Sequence, residues 1–112
     1  MSMSHETRCF RIRLKPNSLE RVRHWALALN ETRREEAMAT LRDETVLMEA
    51  YFLDEAPDGD FLIAVMKAES FERASRAAAS STHPIDRFHA DFKRDTWRST
   101  EQLETLVDLA RP

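Results

Sequence analysis

Residues 45–68 read TVLMEAYFLDEAPDGDFLIAVMKA, and the fold turns on this stretch. Pro57-Asp58-Gly59 near its centre is a turn: proline presets φ, and glycine accepts a positive φ. Thr45–Leu53 and Phe61–Ala68 on either side have strand length and are rich in apolar residues, which predicts an antiparallel hairpin. Val46, Met48, Ala50 and Phe52 fall on one side of the first strand; Leu47, Glu49, Tyr51 and Leu53 fall on the other. Phe61–Ala68 is apolar on both sides. A solvated sheet face reads polar. Both faces of this hairpin are therefore expected to be covered.

Upstream, Cys9–Lys15 alternates with Phe10, Ile12 and Leu14 on one side and Cys9, Arg11 and Arg13 on the other, a third strand. Pro16-Asn17 ends it, and Asn17 with Glu20 resembles a capping box that starts a helix near Ser18. Leu19, Val22, Ala26 and Leu29 recur at helical spacing. The stripe continues through Ala37, Met38 and Leu41 to about Glu44, with a break expected at Asn30-Glu31-Thr32. Downstream of the hairpin, Ser70 caps a helix that carries Phe71, Ala74, Ala77 and Ala78. Proline disfavours helical geometry in the residue before it, so Ser80–His83 should interrupt the chain and Pro84 should start a new helix ending near Trp97. Ile85, Phe88 and Phe92 form its apolar stripe. Gln102–Leu109 alternates again and is expected to be the last strand.

The order β-α-β-β-α-α-β implies an α+β domain with a ferredoxin-like antiparallel sheet and its helices on one face. Residues 1–8 are expected to be a flexible N-terminus, and 9–112 a single ferredoxin-like α+β barrel domain. Helices on one face leave the other side of the hairpin bare. A second copy meeting it through a two-fold interface, giving a dimeric α/β barrel, is the simplest cover.

Composition narrows function mainly by exclusion. Charge is mixed along the 112 residues and sums to −3, so no long-range attraction draws in nucleic acid or an anionic membrane. One glycine is too few for a P-loop or a dinucleotide fingerprint. One cysteine, Cys9, rules out an internal disulfide and a zinc ribbon. No cofactor and no metal site are expected. The N-terminus lacks the apolar core of a signal peptide, and no apolar run approaches a membrane span, which leaves the cytoplasm as the expected location.

Ser81–Trp97, STHPIDRFHADFKRDTW, is the most distinctive run. Together with the opening CFRIRLKPNSLERVR and the hairpin segment DGDFLI, it resembles an uncharacterised bacterial family, a domain of unknown function of roughly this length. The resemblance implies a ferredoxin-like dimeric barrel and no established activity. A more distant likeness, to L-rhamnose mutarotases, rests on the strand–helix order and on the rhythm of Glu101–Val107. That family uses paired tryptophans on the second helical segment, where this chain has Phe88 and His89.

Two sets of residues could carry chemistry. Asp86, His89 and Lys93 share one face of the helix after Pro84, and His83 stands at its start. His83, Asp86 and His89 are the candidate catalytic group: a carboxylate that orients imidazoles able to move protons near neutral pH. The competing reading is a solvated helical face whose charges complement the helix dipole. Ser80, Ser81 and Thr82 could help hold an anion at the same helix start, or could simply cap it. The second set is Arg11, Arg13, Glu49 and Tyr51 on the strands, expected to line a ligand site or else to pair across the sheet. His24, Trp25 and Trp97 read as surface and packing residues. The expectation is a small-molecule-binding homodimer, with a cofactor-independent enzyme using histidine acid–base chemistry as its catalytic form; the alternative is a non-catalytic dimerisation or interaction module.

Overall fold

A computed structural model describes residues 5–111. Four strands form one antiparallel sheet in the order β2-β3-β1-β4, with β1 Glu6–Leu14, β2 Val46–Ala56, β3 Gly59–Ala68 and β4 Trp97–Leu103. The first strand starts at Glu6, so part of the segment expected to be flexible belongs to the sheet; residues 1–4 of that segment lie outside the described residues. The Glu6 carboxylate accepts a 2.7 Å hydrogen bond from the Phe71 amide, which ties β1 to the start of the third helix.

The first helical stretch is α1 Leu19–Leu27, a π-helical turn over Ala28–Thr32, and α2 Arg34–Asp43. The break therefore covers the expected Asn30-Glu31-Thr32. The capping box does not form. Asn17 takes a positive φ of 62°, which asparagine tolerates well, and Ser18 is the N-cap with its hydroxyl donating to the Lys15 carbonyl at 2.7 Å. After the hairpin come α3 Phe71–Ala79, whose Ser70 cap accepts from the Arg73 amide, and α4 Pro84–Thr96. Two helices flank the interruption before Pro84, in line with the proline rule.

The last strand differs most from expectation. Trp97 follows α4 directly and β4 ends at Leu103, while 104–111 has no regular structure. Val107 and Leu109, whose alternation with Leu103 suggested a strand, are exposed, as is Leu106. The polar run Arg98–Gln102 is strand because its backbone pairs with β1 along the sheet edge. Edge pairing needs no apolar side chains, so hydrophobic alternation gives no sign of it.

Cross-strand partners share a face, so the register sorts the two sides of the sheet. Phe10, Ile12, Leu14, Leu62, Ala64, Tyr51 and Leu53 pack with Val22, Trp25 and Phe92 from the helices. Cys9, Arg11 and Arg13 face the opposite way with Phe61, Ile63, Val65, Ala50 and Phe52. A bulge between Val46 and Met48 puts Val46 opposite Ala68 on the helix side, which separates it from Met48 and Phe52. Phe52 is 58% exposed.

Candidate functional site

The helix-side core is built around Trp25, which is 2% exposed. Its ring stacks on Phe92 at 4.2 Å between centroids and meets the edge of Tyr51 at 4.9 Å. The indole N–H donates to His89 Nδ1 at 3.1 Å. Spacing on α4 accounts for this arrangement: Phe92 and Ile85 are buried, and His89 and Lys93 are carried at the flank of the same stripe.

Beside this core, between α1, α2, α3, α4 and the β2 edge of the sheet, lies a cavity of about 780 Å3. Leu29, Leu41, Phe71, Ala74 and Ile85 supply apolar wall. Glu49 and Tyr51 line it from β2, and Asp86, His89 and Lys93 from α4. Burial is the main influence on four of these groups. It pushes the Glu49 carboxyl up, with Tyr51 and Lys93 opposing. It pushes the Tyr51 phenol well up, helped by Glu49. It pulls Lys93 down against the attraction of Glu49 and Glu44. His89 falls from 6.5 to about 3, chiefly through burial and secondly through Lys93. Each shift favours the neutral form. Glu44, at the rim, also rises through burial and the neighbouring Asp86 and Glu49. The Tyr51 hydroxyl is buried without a well-formed hydrogen bond, although Glu49 is its neighbour.

The other candidates sit elsewhere. His83 caps α4, and its Nε2 lies 2.6 Å from Asp43 Oδ2 in a cleft of about 230 Å3 beside Ser80–Thr82. That hydrogen bond raises the His83 pKa. Two of the three hydroxyls considered for an anion are already engaged: Ser81 donates to Asp86 and accepts from the His83 amide, and Ser80 donates to the Arg76 and Ala77 carbonyls. Arg11 and Arg13 are not near the cavity. They lie on the opposite face, over the Phe61 ring at 3.9 and 4.5 Å, paired with Asp54 at 3.5 Å and Asp58 at 3.1 Å. Period-2 alternation ranks residues within a strand but does not relate one strand to the next, so it could not separate these arginines from Glu49 and Tyr51. His24 is exposed, and Trp97 packs on the core edge under Lys93, whose Nζ is 4.9 Å from its ring centroid.

Two residues of the cavity, Lys93 and Trp25, stand outside the expected catalytic and ligand-binding sets. Lys93 shares its helix face with His89 at i+4, a signal that was present but equally fits a solvated helix. Trp25 read as packing, and nothing in the sequence pairs it with His89. Among the described residues, no three His, Cys, Asp or Glu side chains gather as a metal site. No helix among them is long and apolar enough to cross a membrane.

Sheet order, helices on one face and a cavity between the layers define a ferredoxin-like α+β domain. The chain belongs to the family of unknown function DUF6176, which it matches over residues 5–112. No curated protein matches it. Among solved structures it is similar to L-rhamnose mutarotase FA22100 from Formosa agariphila, with 18% identity and a TM-score of 0.64 over 94% of this chain and 99% of that one. It is also similar to SnoaB, a cofactor-independent oxygenase from Streptomyces nogalater, with 13% identity and a TM-score of 0.58 over 96% and 98%. PA3566 from Pseudomonas aeruginosa gives 15% identity and a TM-score of 0.57 over 96% and 100%. At such identities the likeness carries the fold.

Proposed function

We propose that this protein binds a small organic molecule in the cavity between its helices and the β2 edge, and performs cofactor-independent proton transfer on it. The supporting observation is the gathering of Glu49, Tyr51, His89 and Lys93 around one cavity, each driven toward neutrality by burial. Ionisable groups held this way are costly, and they concentrate where chemistry needs them. Glu49, with its raised pKa, is the proton acceptor: a C–H or O–H proton of the ligand passes to its carboxylate. His89, Lys93 and Tyr51 hold the ligand's oxygens, and Asp86 steadies the start of α4 through Ser81. In this reading His83 fastens α4 to α2 through Asp43, and Arg11 and Arg13 hold no ligand. An L-rhamnose mutarotase and a cofactor-independent oxygenase stand among the structural neighbours, which agrees with this use of the fold. The test is a thermal-shift screen of small hydroxy and carbonyl compounds, since a ligand of the folded state raises Tm by mass action. Hits should lose their effect in Glu49→Gln. An empty screen, or hits indifferent to Glu49, contradicts the proposal and favours the interaction-module reading.

The protein is further proposed to work as a cytoplasmic homodimer joined through the sheet face opposite the helices. Ile63, Val65, Ala50, Met48 and Phe52 are apolar there, and the arginines on that face are already paired. Sedimentation at micromolar concentration should give a dimer; a 13.1 kDa species contradicts it.

A further inference from the structure

The contact between Trp25 and His89 has consequences for what the cavity can recognise. An indole N–H can only donate. His89 Nδ1, 3.1 Å away, must therefore accept and carry no proton. A neutral imidazole has its proton on the other nitrogen, so Nε2 carries the N–H, and His89 lines the cavity. Protonating the ring would break the bond to Trp25 and place a cation beside Lys93. The imidazole lies beside the Trp25–Phe92 stack, at 22° to the Trp25 plane and 23° to Phe92.

We propose that Trp25 fixes His89 in its Nε2–H tautomer, making the ring a hydrogen-bond donor to the cavity, and that the ligand is an uncharged carbonyl compound whose oxygen meets that donor. This rests on the cavity being a binding site, as proposed above. The charge around the cavity selects between acceptor ligands. Glu44, Glu49 and Asp86 line it against Arg34 and Lys93, and burial draws Lys93 toward its neutral amine, so a ligand carboxylate would meet three carboxyl groups with Arg34 as the one firm cation of the lining. A neutral carbonyl avoids that repulsion and suits the wall of Leu29, Leu41, Phe71 and Ile85. Trp25 is a positioning residue in this scheme; His89 touches the ligand.

The groups facing His89 are Lys93 on its own helix, Trp25 on α1, and Glu49 and Tyr51 on β2, with Glu44 and Asp86 at the cavity wall. The test is long-range proton–nitrogen NMR on protein carrying 15N-labelled histidine. His89 should show the Nε2–H pattern in wild-type protein and keep it as pH falls well below 6.5. Trp25→Phe keeps an aromatic ring but no N–H, and should give mixed tautomers, while burial and Lys93 still hold the titration below 6.5. An Nδ1–H pattern, or ordinary titration in wild-type protein, overturns the inference even if the variant fails to fold. Cyclohexanone, methylenecyclohexane and cyclohexanecarboxylate then serve as ring-matched probes. The ketone should shift the Nε2–H resonance and bind roughly fivefold tighter than methylenecyclohexane, which has no acceptor, the worth of one ordinary hydrogen bond. Preference for the carboxylate overturns the ligand class alone. If no probe moves any cavity resonance, the binding-site reading falls and takes this inference with it.

Discussion

On the helix side of the sheet, Glu49, His89 and Lys93 are drawn away from water and form no ion pair among the described residues. On the other side, Arg11 and Arg13 lie flat over Phe61, each paired with an aspartate. The contrast is between unpaired and paired charge on two faces of one sheet. Paired guanidiniums add little repulsion and cover apolar surface with their stems, which suits a face that meets another protein. Unpaired ionisable groups beside a cavity lower stability unless a ligand engages them. The two faces are therefore expected to fail differently when mutated.

The largest effect should come from Phe92→Ala. Phe92 is fully buried and stacks on Trp25, so its loss should cost about 3–5 kcal/mol in denaturant unfolding and should empty the wall behind His89. A loss no larger than that of a surface substitution would mean the helix face is not the core. Ile63→Asp comes next. It puts a carboxylate in the middle of the opposite apolar face, between Arg11 and Phe52 in the register. The dimer should dissociate by sedimentation while circular dichroism keeps the monomer's fold. An intact dimer would move the interface elsewhere.

The acid limb of stability separates the faces by pH. The folded pKa of His89, about 3, lies below its usual 6.5, so on acidification the unfolded chain takes up the proton first. Stability associated with neutral His89 is present above 6.5 and is lost as pH falls toward about 3. The loss is on the order of a few kcal/mol. His89→Asn, which keeps an acceptor for the Trp25 indole, should flatten that limb; an unchanged pH profile would show the ring to be hydrated. The smallest effect belongs to His83, whose pKa is raised by Asp43. Its contribution is full below the usual 6.5 and is lost as pH rises through the raised folded value. His83→Asn should lower Tm slightly in acid and leave it unchanged in base.

These contrasts were unevenly legible in the sequence. Alternation in Cys9–Lys15 and Thr45–Ala68, the Pro57-Asp58-Gly59 turn and the break before Pro84 are strong local signals, and the order of elements followed from them. β4 was obscured because an edge strand is held by its backbone; Leu103, Val107 and Leu109 imitated a buried strand further along. The pairing of Glu49 with Tyr51, and of His89 with Lys93, is visible as spacing within single elements. Which pair faces which depends on register, with Glu49 opposite Met66 on one side and Arg11 opposite Ile63 on the other. Register is set by the Val46 bulge and the hairpin turn, neither of which periodicity locates.

Amide chemical-shift mapping with the strongest hit from the thermal-shift screen tests the division between the faces most directly. The predicted result is a cluster of perturbed amides around Glu49, Tyr51, His89 and Lys93, with Arg11, Ile63 and Val65 unmoved. Perturbations gathered on Arg11, Arg13 and Ile63 would contradict the account and place ligand binding on the face assigned here to the dimer.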